Sequence, residues 1–163
     1  MATFGSNGVD VFGGTDADDG LRGEDGDDTL YAGDGFFGGL IGGAGDDLLH
    51  ADDQSNFLYG MEGSDTILAG PRDDMLIVWS GHGIDHVHGF DVEDHLIILD
   101  VPINGLTIDS FAALQERLFD FATRTGSGAG IDLGQGNELL LYGIGSSQLT
   151  ASNFQFDPLQ GAS

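Results

Sequence analysis

A chain of 163 residues with 28 acidic and 4 basic side chains carries a formal net charge of −24, and its basic residues are all arginines: Arg22, Arg72, Arg117 and Arg124. Such a surface repels nucleic acid, anionic lipid and acidic polysaccharide and attracts cations. The lack of lysine and cysteine excludes P-loop and Schiff-base chemistry, disulfides and thiolate metal sites, while 40% hydrophobic residues argue for a folded chain rather than an acidic disordered one.

Residues 1–30 hold neither a basic n-region nor an apolar h-region, and no run in the chain is long and apolar enough to span a membrane. What they do hold is the start of a repeat with a period of nine. The units read GSNGVDVFG (5–13), GTDADDGLR (14–22), GEDGDDTLY (23–31), GDGFFGGLI (33–41), GGAGDDLLH (42–50), ADDQSNFLY (51–59), GMEGSDTIL (60–68), AGPRDDMLI (69–77) and SGHGIDHVH (80–88), with Ala32 and the pair Val78-Trp79 as insertions. In each unit six turn-forming positions precede three strand positions. The middle strand residues are Phe12, Leu21, Leu30, Leu40, Leu49, Leu58, Ile67, Leu76 and Val87, all apolar. One unit cannot bury one side chain alone, but stacked units bury a continuous ladder, so the array must coil.

The units GEDGDDTLY, GGAGDDLLH and GMEGSDTIL resemble the G-G-x-G-x-D-x-U-x nonapeptide of the RTX, or hemolysin-type, calcium-binding family. The resemblance covers residues 5–88. It implies an all-β fold, a right-handed parallel β-roll in which two successive units make one coil and Ca²⁺ sits between turns that stack directly.

On that arrangement odd units stack on odd and even on even. The odd stack has Asp10, Asp28, Asp47, Asp65 and Asp85 at position six and Gly8, Gly26, Gly45, Gly63 and Gly83 at position four. The even stack reads Asp19, Gly38, Asn56 and Asp74 at position six and Ala17, Phe36, Gln54 and Arg72 at position four, so no two adjacent even turns both offer an aspartate. Calcium takes six to eight oxygen ligands, several of them carboxylate. The odd aspartates frame four gaps, and the ten odd-stack residues are the expected metal ligands, with about four Ca²⁺ on one edge and few or none on the other. The competing reading of these aspartates is as ordinary turn residues. Outward strand residues also differ between the sides. Ile41, Phe57, Tyr59, Met75 and Ile77 follow even turns, whereas Thr29, Tyr31, His50, Thr66, His86 and His88 follow odd ones. The apolar even face calls for a cover, expected to be the rest of this chain, with a partner as the alternative.

Beyond His88 the glycine repeat is read as ending, which divides the chain into a β-roll over 1–88 and a β-rich capping region over 89–163. Residues 89–102 read as a turn and a strand ended by Pro102, and 130–144 as a hairpin turning at Gly134-Gln135-Gly136. A helix is expected near 109–123, capped by Asp109 or Ser110, with Phe111, Leu114, Leu118 and Phe121 on one face. Residues 146–156 supply a closing edge. The strand Phe90–Leu99 and the terminal Leu149–Phe156 pattern resemble the segment that follows RTX repeats in type I secreted bacterial proteins. That resemblance implies a cap that also carries an uncleaved secretion signal.

No HExxH or G-x-S-x-G is present, and GSGAG (126–130) lacks phosphate-loop spacing. His82, His86 and His88 cluster, but two histidines on one strand face fall short of a zinc or nickel site. The expectation is therefore a secreted, extracellular calcium-binding protein and not an enzyme. Its folding is coupled to Ca²⁺ after export by type I secretion machinery. A carbohydrate or protein partner on the even-repeat face is the main open question. An adhesion or carbohydrate-binding module, or the C-terminal module of a larger secreted protease, lipase or mannuronan epimerase, is the alternative.

Overall fold

A computed structural model describes residues 2–15, 20–35, 37–78, 83–98, 102–103, 106–107, 110–124 and 126–156. In chain order the strands are β1 (Ala2–Phe4), β2 (Val11–Gly13), β3 (Gly20–Asp25), β4 (Thr29–Tyr31), β5 (Phe37–Ala44), β6 (Leu48–His50), β7 (Ser55–Glu62), β8 (Thr66–Leu68), β9 (Met75–Val78), β10 (Ile84–His88) and β11 (His95–Ile98). A small pair follows, β12 (Pro102–Ile103) and β13 (Leu106–Thr107), then the helix α1 (Phe111–Gln115). The chain closes with β14 (Leu118–Ala122), β15 (Ser127–Gly134), β16 (Asn137–Tyr142) and β17 (Phe154–Phe156).

Even-unit strands form one sheet in the order β1-β3-β5-β7-β9-β11-β17, and odd-unit strands form the other, ordered β14-β15-β16-β10-β8-β6-β4-β2. Within the roll every pairing is parallel, as expected of strands that recur once per coil. The register sets Leu21 on Leu40, Leu40 on Leu58 and Leu58 on Leu76, and likewise Phe12 on Leu30, Leu30 on Leu49 and Leu49 on Ile67. All of these leucines and Ile67 are buried, so the ladder read from the sequence is the core. One nonpolar residue per nine suffices because each is covered above and below by its own kind.

The stacking explains why glycine recurs at position four. Gly26, Gly45 and Gly63 hold φ of 130–133°, a region that side chains rarely adopt. A Cβ on any of them would overlap the backbone of Gly8, Gly26 or Gly45 in the turn beneath.

Three sequence expectations are corrected. Ala32 is not an insertion between units. Its N–H donates to His50 O, as those of Gly14, Ala51 and Ala69 do to Tyr31 O, Leu68 O and His88 O, so Ala32 is the first residue of its even turn. The repeat does not end at His88, because β11 lies in register on β9 with His95 beside Met75 and Leu96 beside Leu76. Residues 89–97 are thus a tenth, even unit whose Leu96 extends the buried ladder. Nor does a helix run to 123. It spans only Phe111–Gln115, with the Ser110 hydroxyl capping it by accepting from Ala113 N at 3.3 Å. Residues Leu118–Ala122 are instead the strand β14, antiparallel to β15. Strand wins there because the Phe119 ring lies across Gly130, where the missing Cβ leaves room for it.

The C-terminal segment closes the roll end-on. The β15–β16 hairpin turns through Gln135 and Gly136, both at positive φ. β16 adds in parallel to β10 with Leu141 on Val87, and β17 adds in parallel to β11 with Phe154 on Leu96, so both ladders gain a final rung. Buried Asn153 ties this cap down: its Nδ2 donates to Val92 O at 3.0 Å and to Asp94 O at 3.2 Å. Among the described residues the cap strands β15, β16 and β17 extend the two sheets at the end of the roll. Among the described residues Ile41, Phe57, Tyr59 and Ile77 are half-buried and Met75 is exposed. Ala17, Asp19, Phe36, Trp79, His82, Asp109 and the tail 157–163 lie outside the described residues.

Candidate metal centre

The odd aspartates are brought into one column by the register of β2, β4, β6, β8 and β10. Each reaches to its neighbour. The N–H of Asp10 donates to Asp28 Oδ1 at 2.8 Å, that of Asp28 to Asp47 Oδ1 at 2.8 Å, that of Asp47 to Asp65 Oδ1 at 2.9 Å and that of Asp65 to Asp85 Oδ1 at 3.0 Å. The column thus spans the four gaps expected from the sequence.

The second carboxylate oxygens distinguish the gaps. Oδ2 of Asp28, Asp47 and Asp65 is buried and has no hydrogen-bond partner. A buried, unpaired carboxylate oxygen costs several kcal/mol, so its environment calls for a cation. Each of these atoms lies against the first glycine of its own turn, at Gly23, Gly42 and Gly60, where any Cβ would overlap it. The point that a Gly23 Cβ would fill is also 2.7 Å from Gly42 O, and the point at Gly42 is 2.7 Å from Gly60 O. A carboxylate oxygen and a carbonyl oxygen of the next turn therefore face one small cradle, repeated up the stack. At the bottom the pattern changes, since Asp10 Oδ2 accepts from Ser6 N at 2.6 Å and Ser6 Oγ at 2.9 Å.

Without a cation this column is electrostatically strained. Burial, and then the neighbouring carboxylates of Asp28, Asp27 and Asp46, push Asp47 from 3.8 up to about 7. Burial, followed by Asp85, Asp47 and Asp46, does the same to Asp65, also up to about 7.

The even edge has the same frame and a partly different ending: Asp52 Oδ2 and Asn56 Oδ1 are also buried without a partner, but the column aspartates differ. Asn56 N donates to Asp74 Oδ1, and Asp74 N to Asp94 Oδ1, each at 2.8 Å. Adjacent even turns thus do supply two aspartates, Asp74 and Asp94, contrary to the sequence reading. Their second oxygens, however, are satisfied within their own turns: Asp74 Oδ2 accepts from Gly70 N and Asp94 Oδ2 from Asp91 N, both at 2.8 Å. Burial still raises both, to about 6 for Asp74 and about 7 for Asp94.

Two features escaped the sequence reading. One is the role of the first-position glycines, whose signal was present in part: odd turns begin with Gly5, Gly23, Gly42, Gly60 and then Ser80, even ones with Gly14, Ala32, Ala51, Ala69 and then Gly89. The other is a second polar ladder at position five, running the opposite way. Asp46 N donates to Asp27 Oδ1 at 3.0 Å, Ser64 N to Asp46 Oδ1 at 2.8 Å and Ile84 N to Ser64 Oγ at 3.0 Å. The position-four glycines Gly26, Gly45 and Gly63 serve close stacking, and Gly83 packs against the Ser64 hydroxyl.

The donors on offer are all hard oxygens, which suits Ca²⁺ and not zinc. Among the described residues no three acidic or histidine side chains converge on one point, so a cation would draw on carboxylate and main-chain carbonyl together. Two of the clustered histidines are otherwise engaged. His86 Nδ1 lies 2.9 Å from the Tyr142 hydroxyl, and His88 stacks on the Tyr142 ring at 4.3 Å between centroids.

The family described as the RTX calcium-binding nonapeptide repeat matches in four copies, over residues 4–36 and 40–76. No curated protein matches the chain. Among solved structures, the extracellular lipase LipA from Serratia marcescens is similar at 16% identity with a TM-score of 0.36, over 94% of this chain and 40% of that one. The chain thus spans two-fifths of the lipase's length. From the repeat, the parallel coils and the carboxylate column, residues 4–76 belong to the RTX calcium-binding nonapeptide-repeat family and form a calcium-binding β-roll.

Proposed function

We propose that this chain is a secreted calcium-binding protein that folds when it meets Ca²⁺ outside the cell and that has no catalytic activity of its own. The observation that carries this reading is the set of buried, unpartnered oxygens on Asp28, Asp47 and Asp65, each beside a glycine with no Cβ. Calcium would supply positive charge and a demand for six to eight oxygens at each gap. The chain's own part is to present carboxylate and carbonyl oxygens at fixed spacing, which the inner ladder sets. Where Ca²⁺ is scarce the stacked carboxylates repel and oppose coiling, and at millimolar Ca²⁺ binding becomes folding energy.

Four gaps give four ions on the odd edge, with the Asp10/Asp28 gap the weakest because Ser6 already holds Asp10 Oδ2. Membership of the RTX repeat family and the absence of cysteine support export through type I machinery. Circular dichroism tests the coupling. The spectrum should change from disordered to strand-rich on adding Ca²⁺ and revert with EDTA. A strand-rich spectrum that EDTA leaves unchanged would refute it.

A further inference from the structure

Outside the odd column, among the described residues, one further carboxylate oxygen is buried without a partner, Asp52 Oδ2. The other oxygen of Asp52 is satisfied inside its turn, accepting from Gln54 N at 2.7 Å and from Asn56 Nδ2 at 2.9 Å. Asp52 lines an open pocket of about 290 Å³ where β4 and β6 pass into the even turns.

The pocket joins two kinds of group. Tyr31 and His50 end β4 and β6 and are paired in register, with ring centroids 5.5 Å apart and planes tilted by 37°. Tyr31 is 44% exposed, so its ring is open to a ligand. Asp34 and Asp53, both exposed, also line the pocket. They hold the same place in adjacent even turns, because Ala32 and Ala51 each donate to the end of the next odd strand, at His50 O and Leu68 O. Stacked one coil apart, about 4.8 Å, these carboxylates repel each other. None of the chain's arginines lines the pocket to offset them. His50 Nδ1 lies 2.9 Å from Ala51 O, which can only accept, so Nδ1 carries the proton and Nε2 of the neutral ring is left an acceptor.

This arrangement selects among cations. A bare metal ion needs several ligands at one point, and no three acidic or histidine side chains converge here. An ammonium is compact and strongly hydrated, whereas a guanidinium is planar, stacks on ring faces and donates to two carboxylates through its fork. We propose that the pocket binds a guanidinium group, with Tyr31 and His50 against its plane, Asp34 and Asp53 on its N–H donors, and the unpaired charge of Asp52 beneath it.

The test is an amide NMR titration of the calcium-loaded protein at about 0.15 M salt, which screens general charge attraction. The probes are methylguanidinium and the blocked peptides Gly-Arg-Gly and Gly-Lys-Gly. The first two should give saturable shifts confined to residues 31–34 and 50–53, with a dissociation constant of about 1 mM. A tighter Gly-Arg-Gly makes an arginine of a protein partner the source of the group, and equal affinities make it a small guanidine. Tyr31→Ser should weaken binding about fivefold and Asp53→Asn about tenfold, with circular dichroism confirming that each variant is folded. Glu93→Gln, at an exposed acid of another turn, should bind as wild type. Gly-Lys-Gly binding as tightly as Gly-Arg-Gly, shifts spread over all acidic turns without saturation, or a folded Tyr31→Ser variant that binds as wild type would overturn the proposal.

Discussion

Asn in place of Asp47 should have opposite effects on the two states of the protein. Asp47 is 2% exposed and sits between two gaps of the odd column. In the cation-free fold its charge is resisted by burial and by its acidic neighbours, which carry it from 3.8 to about 7. Taken at full value, that difference is about 4 kcal/mol of destabilisation once the group ionises. Relaxation and water entry around the buried group in the cation-free state cut it to about 2 kcal/mol. An asparagine keeps an oxygen for the Asp28 N–H and can turn its amide toward Gly60 O, so it removes the charge at little structural cost. In EDTA at about pH 8 Asp47→Asn should therefore fold more readily than the wild-type chain, by about 2 kcal/mol. In calcium the order should reverse, because two gaps lose a carboxylate and their affinity falls about tenfold or more. Circular dichroism of the folded fraction in EDTA, drawn up with a stabilising osmolyte such as sucrose, and urea titration in millimolar calcium read the two signs. A variant less stable than wild type in EDTA as well would refute the reasoning, since the carboxylate would then be an ordinary structural group.

The same charges give a pH dependence. Asp47, Asp65 and Asp94 are pushed up to about 7 and Asp74 to about 6, so the fold holds their protons more tightly than the unfolded chain does. Their stabilising effect is fully present below about pH 3.8 and is lost as pH rises through about 7, so acidifying the EDTA-treated protein from about pH 7 to 4 should raise the folded fraction seen by circular dichroism. Within the single strand β5, Gly42→Ala should abolish calcium binding at the Asp47/Asp65 gap, because its Cβ overlaps Asp47 Oδ2 beside Gly60 O, whereas Gly39→Ala meets open space and should bind as wild type in calorimetry. Leu49→Ala, at a fully buried rung, should lower the stability of the calcium-loaded protein by about 3 kcal/mol in urea titration.

The coiled core was legible because its rule is local and repeated: Leu30, Leu40 and Leu49 each occupy the same place in nine. Asp94 was missed because its unit, GFDVEDHLI, has Phe90 and Val92 where glycines would announce a turn. Its position-six aspartate and inner leucine follow Asp74 and Leu76 by twenty residues, the spacing by which Val87 follows Ile67, and that was the available signal. The helix was overextended because Leu118 and Phe121 satisfy helical spacing, while Phe119 and Phe121, two apart in the same stretch, satisfy strand alternation. The complementary Gly130, distant in sequence, decided between them. The column of odd aspartates could be read from spacing. Which of their oxygens are left without partners could not, because Ser6, Gly70 and Asp91 supply the competing hydrogen bonds from three different turn sequences.

The number of calcium ions bound tests the central claim most directly. Isothermal titration of EDTA-stripped protein should show four ions, one for each gap of the odd column and the Asp10/Asp28 gap weakest, with no change in that number for Asp74→Asn. A stoichiometry of about eight, shared between both edges, would contradict it.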